Sequence, residues 1–202
     1  PEFIYFLSTL SLHCFTNEYV YFEKEGETEL IKRLEAEIVQ TIEKSEQPEA
    51  KKILCLASYR PLDQYNWCQK LKVLDHLEEV KLRLIEEPYT ERAIAAEIPM
   101  LGEISDDVSC KVRSQYEKNP YPRWVKTLKT KKAKSISEIC AEANLHINSK
   151  SIKNVIAPAI LIAGCGTGQH SIGTASRFSN CQVTAVDLSL ASLAYAKRKT
   201  AE

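Results

Sequence analysis

The chain has 202 residues, 44% of them hydrophobic and 27% charged, and its 27 basic and 27 acidic side chains cancel to a formal net charge of zero. That length suits one large or two small globular domains, and the neutral balance offers no electrostatic case for nucleic acid or a membrane surface. No apolar run approaches the ~20 residues that span a bilayer, and seven scattered cysteines without a CxxC pair argue against a disulfide framework or a structural zinc site, and for a reducing, cytoplasmic setting.

The first 134 residues read as a mainly helical region. FIYFLSTLSLHCF lacks a basic leader and a cleavage site, so it is expected to be a buried helix rather than a signal peptide. TELIKRLEAEIVQTIEKSE carries a stripe of Leu30, Ile31, Leu34, Ile38 and Ile42 at helical spacing, which predicts core packing. SEQPEAKK is a loop by its polarity and proline, and KILCLASY after it is a strand or a buried helical turn. Helical spacing returns in HLEEVKLRLIEEPYTERAIAAEI, where Pro88 is expected to break or kink the element. DDVSCKVRSQYEK has the charge order of a short helix, acidic first and basic last.

YEKNPYPRW follows, with Pro120 and Pro122 favouring an extended path. Tyr116, Tyr121, Arg123 and Trp124 offer aromatic surface and a fork of donors. Two roles stay open for them: lining a pocket mouth or touching substrate, and packing the helical region onto a sheet. The basic run from Lys126 to Lys134 reads as a solvated linker, and Ser135 or Ser137 caps a helix over ISEICAEANL.

From residue 135 a second region begins, and from Val155 its character is α/β. AILIAG is a continuous apolar strand suited to burial on both faces of a parallel sheet. It stops at Gly164, Gly166 and Gly168, and GQHSIGTASRF then reads as a helix with Ile172, Ala175 and Phe178 on one side. CQVTAVD is a second strand, and Ser189 caps a helix over SLASLAYAKRKT. Strand, glycine turn, helix, strand, acidic residue, helix is the opening βαβα of a doubly wound, Rossmann-like sheet.

In such a sheet a ligand lies beyond the carboxyl ends of the strands, where bare glycine backbone and helix N-terminal amides receive it. Asp187 ends the second strand about 20 residues after the glycines, where a carboxylate can accept from both hydroxyls of a ribose; alternatively it caps the next helix. Gln169 stands where a dinucleotide fingerprint places its third glycine, which disfavours an NAD-dependent oxidoreductase, and no GK[ST] follows, which excludes a P-loop. The site therefore reads as one for an adenosine-containing cofactor.

AGCGTGQ with AVDLS resembles the first motif and the acidic strand end of class I methyltransferases that use S-adenosylmethionine. The position two before the first glycine, often acidic in that family, is Ile162. VRSQYEKNPYPRWVK, CFTNEYVYF and the SLAYAKRK run resemble a bacterial subgroup whose longer members carry tetratricopeptide repeats ahead of a helical segment and the catalytic domain. The resemblance implies methyl transfer from S-adenosylmethionine to an acceptor, small molecule or protein, with any repeats upstream of Pro1 available to a protein partner. It implies that Ala163, Gly164, Cys165, Gly166, Thr167, Gly168, Asp187 and Leu188 contact the cofactor, with Cys165 a small wall residue rather than a nucleophile. Catalytic residues for the acceptor belong to later strands and loops in that family, so none is assigned here. The chain opens at Pro1 inside one pattern and stops at Glu202 inside another, as expected of a piece of a longer protein that alone binds cofactor weakly. A non-catalytic scaffold with a degenerate methyltransferase fold is the rival expectation.

Overall fold

A computed structural model describes residues 2–72, 77–126 and 132–202. Contacts divide the chain into two compact units, Pro1–Ala93 and Ile94–Glu202.

In the first unit, α1 (Glu2–Thr16) buries Leu7, Ser11, Cys14 and Phe15, which share one face at helical spacing. Phe3, Tyr5 and Phe6 stay exposed, so this helix is buried along one side rather than all round. Helix α2 (Glu25–Glu43) begins where the Glu27 carboxylate accepts the Lys24 amide. Ile31 and Ile38 face the core while Leu34 and Ile42 pack at its margin. Leu30 is exposed, because its position falls just outside that arc. KILCLASY resolves as helix α3 (Ala50–Ala57), which buries Ile53, Leu54, Leu56 and Ala57 completely. Two 3₁₀ turns, Leu62–Gln64 and Cys68–Lys70, bring Leu62, Trp67 and Cys68 into the same core.

Pro88 does not end its helix. Helix α4 (Glu78–Lys81) runs into a π-helical segment (Leu82–Glu86) and then into α5 (Glu87–Glu97). Proline has no N–H for the i−4 carbonyl and crowds it. The π turn, in which the Glu87 amide bonds to the Leu82 carbonyl, widens the helix one residue earlier and lets it continue.

The second unit is α/β, mostly helical with a short sheet. Helix α6 (Asp107–Lys118) starts at Asp106, whose carboxylate accepts the Ser109 amide at 2.8 Å. An extended stretch through Pro120 and Pro122 follows, with a cis Tyr121–Pro122 peptide. Most of the basic run lies outside the described residues. Lys134 at its end pairs by backbone with the strand-like turn at Phe178 and by its amine with Glu142. Ser135 caps α7 (Ile136–Glu142) in a capping box with Glu138, and the single turn α8 (Lys150–Lys153) leads to the sheet.

Strands β1 (Ala159–Ala163) and β2 (Gln182–Val186) pair in parallel, Ala159 opposite Gln182 through Ala163 opposite Val186. Helix α9 (Gln169–Arg177) connects them and α10 (Leu190–Ala201) follows, capped by the Ser189 hydroxyl at 3.0 Å from the Ser192 amide. The expectation that β1 is buried on both faces is not met. Ile160 and Ile162 are half-buried, while Ala159, Leu161 and Ala163 open to solvent, because no helix or strand among the described residues covers that face. Ile172 of α9 and Phe178 just past its end are half-buried, and Ala175 is exposed.

Candidate functional site

The parallel register sets the site. Because Ala163 pairs with Val186, the next residues, Gly164 and Asp187, leave the sheet side by side at the carboxyl ends of both strands. Gly164, Gly166 and Gly168 take φ of +71°, +52° and +81°, the left-handed region that only glycine enters at little cost. They carry the chain from β1 around to the first turn of α9. A β-carbon on Gly164 or Gly166 meets no heavy atom within 4 Å, so this backbone faces open space. Gly168 differs: a β-carbon there would stand 2.5 Å from the Ala196 methyl on α10.

Asp187 binds the loop to the strand end. Its carboxylate accepts the Gly166 amide at 2.7 Å and the Ser189 amide at 2.9 Å, one on each oxygen. Ser189, not Asp187, caps α10, and a carboxylate offers about four lone-pair sites, of which these bonds use two.

The extended YPRW stretch braces the loop from its other side. The Trp124 indole N–H donates to the Thr167 carbonyl at 3.0 Å, and the Thr167 hydroxyl donates to the Pro122 carbonyl at 2.7 Å. Trp124 is buried, edge-on to Tyr195 of α10 with centroids 6.0 Å apart, and the Tyr195 hydroxyl donates to the Trp124 carbonyl. The Lys199 ammonium lies 5.2 Å from the indole centroid and donates to the Val125 carbonyl at 3.1 Å. Arg123 lies over the Tyr195 ring at 5.9 Å.

An open cleft of about 1290 Å³ runs along the strand ends. Ala163, Gly164, Gly166, Gly168, Asp187 and Leu188 line it, as do Tyr116 and Tyr121. Cys165 and Thr167 are buried behind the loop, and Arg123 and Trp124 pack against α10 rather than lining the cleft. Sequence reading passed over Arg113, Ser171, Ser192 and the apolar segment from Ile98 to Ile104, all of which line it. The hydroxyls of Ser171 and Ser192 are buried without a hydrogen-bond partner among the described residues. A scan for ligand motifs has no signal for such serines, since a hydroxyl in a helix ordinarily satisfies itself on the preceding turn.

Burial, with the Asp187 carboxylate adding to it, pushes the Cys165 thiol up to about 11. A thiol so placed is protonated at pH ~8 and reacts only through its small thiolate fraction. Iodoacetamide labelling of Cys165 is therefore expected to lag behind that of exposed Cys110 and to quicken about tenfold per pH unit up to pH ~10. Equal rates at pH ~8, read by peptide mass spectrometry, would contradict this burial. Among the described residues no group of three or more His, Cys, Asp or Glu side chains is placed to hold a metal, and no helix is long and apolar enough to cross a membrane.

Comparison with curated proteins and with solved structures gives no match. A family model described as a methyltransferase domain matches residues 160–202, the span from β1 through the glycine loop and Asp187 to α10. The match supports a class I methyltransferase domain over that span, and with it methyl transfer as the general chemistry.

Proposed function

We propose that the protein transfers a methyl group from S-adenosylmethionine to an acceptor, with the Rossmann-like βαβα segment holding the cofactor. The observation that carries this reading is the emergence of the glycine loop and Asp187 side by side at the ends of two parallel strands. The residues suit the cofactor on two counts: the Gly164 and Gly166 backbone faces open space, and two buried hydroxyls beside the cleft lack partners among the described residues. In this reading Asp187 accepts from the ribose hydroxyls through its unused lone pairs, Gly164 and Gly166 admit the cofactor to the backbone, and Ala163 and Leu188 form walls. Cys165 and Thr167 act from behind, holding the shape of the loop. The bound sulfonium brings an already activated methyl carbon, so this chain mainly orients two partners and excludes water.

The test is calorimetric titration of S-adenosylhomocysteine into the full-length native protein, with NADH as the competing cofactor class. Asp187→Asn keeps one acceptor, for the Gly166 or the Ser189 amide but not both, while it loses the charge and gains a donor. Hydrogen bonds to charged groups contribute about 1.5–3 kcal/mol, so affinity is expected to fall tenfold or more. Binding of NADH in preference to S-adenosylhomocysteine would favour an oxidoreductase. The internal bonds of Asp187 support a second reading, a scaffold in which this carboxylate only fixes the loop. A folded protein that binds neither compound would establish that reading in place of the first.

A further inference from the structure

The cleft is too large and too unevenly charged for a single nucleoside-like ligand. Its ≈ 1290 Å³ exceeds the roughly 300–1,000 Å³ typical of a pocket for one drug-sized molecule. Its polar lining runs from the glycine loop and Asp187 along α10 to Lys197 and Thr200, while residues 98–121 supply, Arg113 apart, an apolar and aromatic wall. Three charged side chains line it. Lys197 has a carboxylate partner in Glu97 at 3.7 Å, and Asp187 is held by two backbone amides. Arg113, half-buried on α6, has no ion pair or hydrogen bond among the described residues.

Resting on the methyltransferase reading above, we propose that the methyl acceptor is an apolar or aromatic molecule carrying one anionic group, a carboxylate or a phosphate, and that Arg113 binds that anion. A guanidinium beside apolar walls keeps much of its field, because low-dielectric surroundings focus it, and its planar fork matches both anions with two parallel hydrogen bonds. Tyr116 lies one turn further along the same helix and lines the same cleft, as do Met100 and Leu101. These offer the acceptor's body a surface of aromatic faces and flexible apolar side chains next to the charge. Of the two cations in the lining, Lys197 already faces Glu97, which leaves Arg113 for the anion of a second ligand.

Five compounds titrated into the full-length protein test this: phenylacetate, phenyl phosphate, neutral phenylacetamide, and S-adenosylhomocysteine alongside 5′-methylthioadenosine, which lacks the aminocarboxylate. The variants are Arg113→Gln and Arg113→Lys, with thermal melting to confirm that α6 tolerates them. The expected result is that at least one anion binds tenfold or more tightly than phenylacetamide, that Arg113→Gln abolishes this preference, and that Arg113→Lys keeps part of it. Both nucleosides should bind wild type and Arg113→Gln alike. Absence of any charge preference would overturn the proposal. So would an Arg113→Gln protein that loses affinity for S-adenosylhomocysteine and not for 5′-methylthioadenosine, because Arg113 would then serve the cofactor's carboxylate. An intact anion preference without nucleoside binding would support the anion site while overturning the methyltransferase reading.

Discussion

Gly168→Ala is expected to destabilise residues 94–202 by about 2–4 kcal/mol, more than alanine at either neighbouring loop glycine. Two costs combine. A side chain at φ +81° meets the left-handed penalty of about 1–2 kcal/mol. Its methyl would also stand 2.5 Å from the Ala196 β-carbon and 3.1 Å from the Ala196 α-carbon, an overlap of the kind that costs about 1–3 kcal/mol. Gly164→Ala and Gly166→Ala carry only the first cost, because nothing lies within 4 Å of their new methyl groups. Urea denaturation of the three variants measures the difference. Ala196→Gly in the Gly168→Ala background should restore part of the loss by removing the nearer atom, and no restoration would show that the helix approach is not the cause. The ligand effect should run the other way: methyls at 164 and 166 intrude on the cleft, so these variants should bind S-adenosylhomocysteine poorly while folding well.

Trp124→Ala is expected to be the larger loss, about 3–5 kcal/mol, as for other buried tryptophans. The indole is the point where the extended stretch, the glycine loop and α10 meet. Trp124→Phe separates the contributions, since it retains most of the apolar contact but leaves the buried Thr167 carbonyl without its donor. That change should cost about 1–3 kcal/mol and raise amide exchange at Gly166 to Gly168. A phenylalanine variant as stable as wild type, with unchanged exchange, would show that the indole bond to the loop contributes nothing.

These two residues also mark the limit of what the sequence discloses. The loop was legible because its determinants are local: three glycines after an apolar run, a β-branched strand and an acidic end dictate backbone conformation within a few residues of themselves. Ser135 and Ser189 as caps were legible for the same reason. The bracing of Thr167 by Trp124 depends on residues 43 apart, and no periodicity announces it. KILCLASY was ambiguous because its apolar residues fit a strand as well as a helix, and the surrounding core decided for α3. Leu30 and the aromatic residues of α1 show the same limit from the other side, since a stripe read with generous width includes positions that the core does not reach. Nothing local distinguishes Arg113 from the other charges of its helix; only the placement of α6 at the cleft sets it apart.

The chain has two tryptophans, and they fall one to each compact unit: Trp67 in the core of the first, Trp124 under the glycine loop in the second. Each unit therefore carries its own intrinsic fluorophore. Emission from a Trp67→Phe protein reports only on residues 94–202, and emission from a Trp124→Phe protein only on residues 1–93. Transitions that fail to coincide would show the units melting separately, in which case no single unfolding free energy describes the chain. A shift in Trp124 emission on adding nucleoside would give a binding signal from directly behind the loop, without any added label.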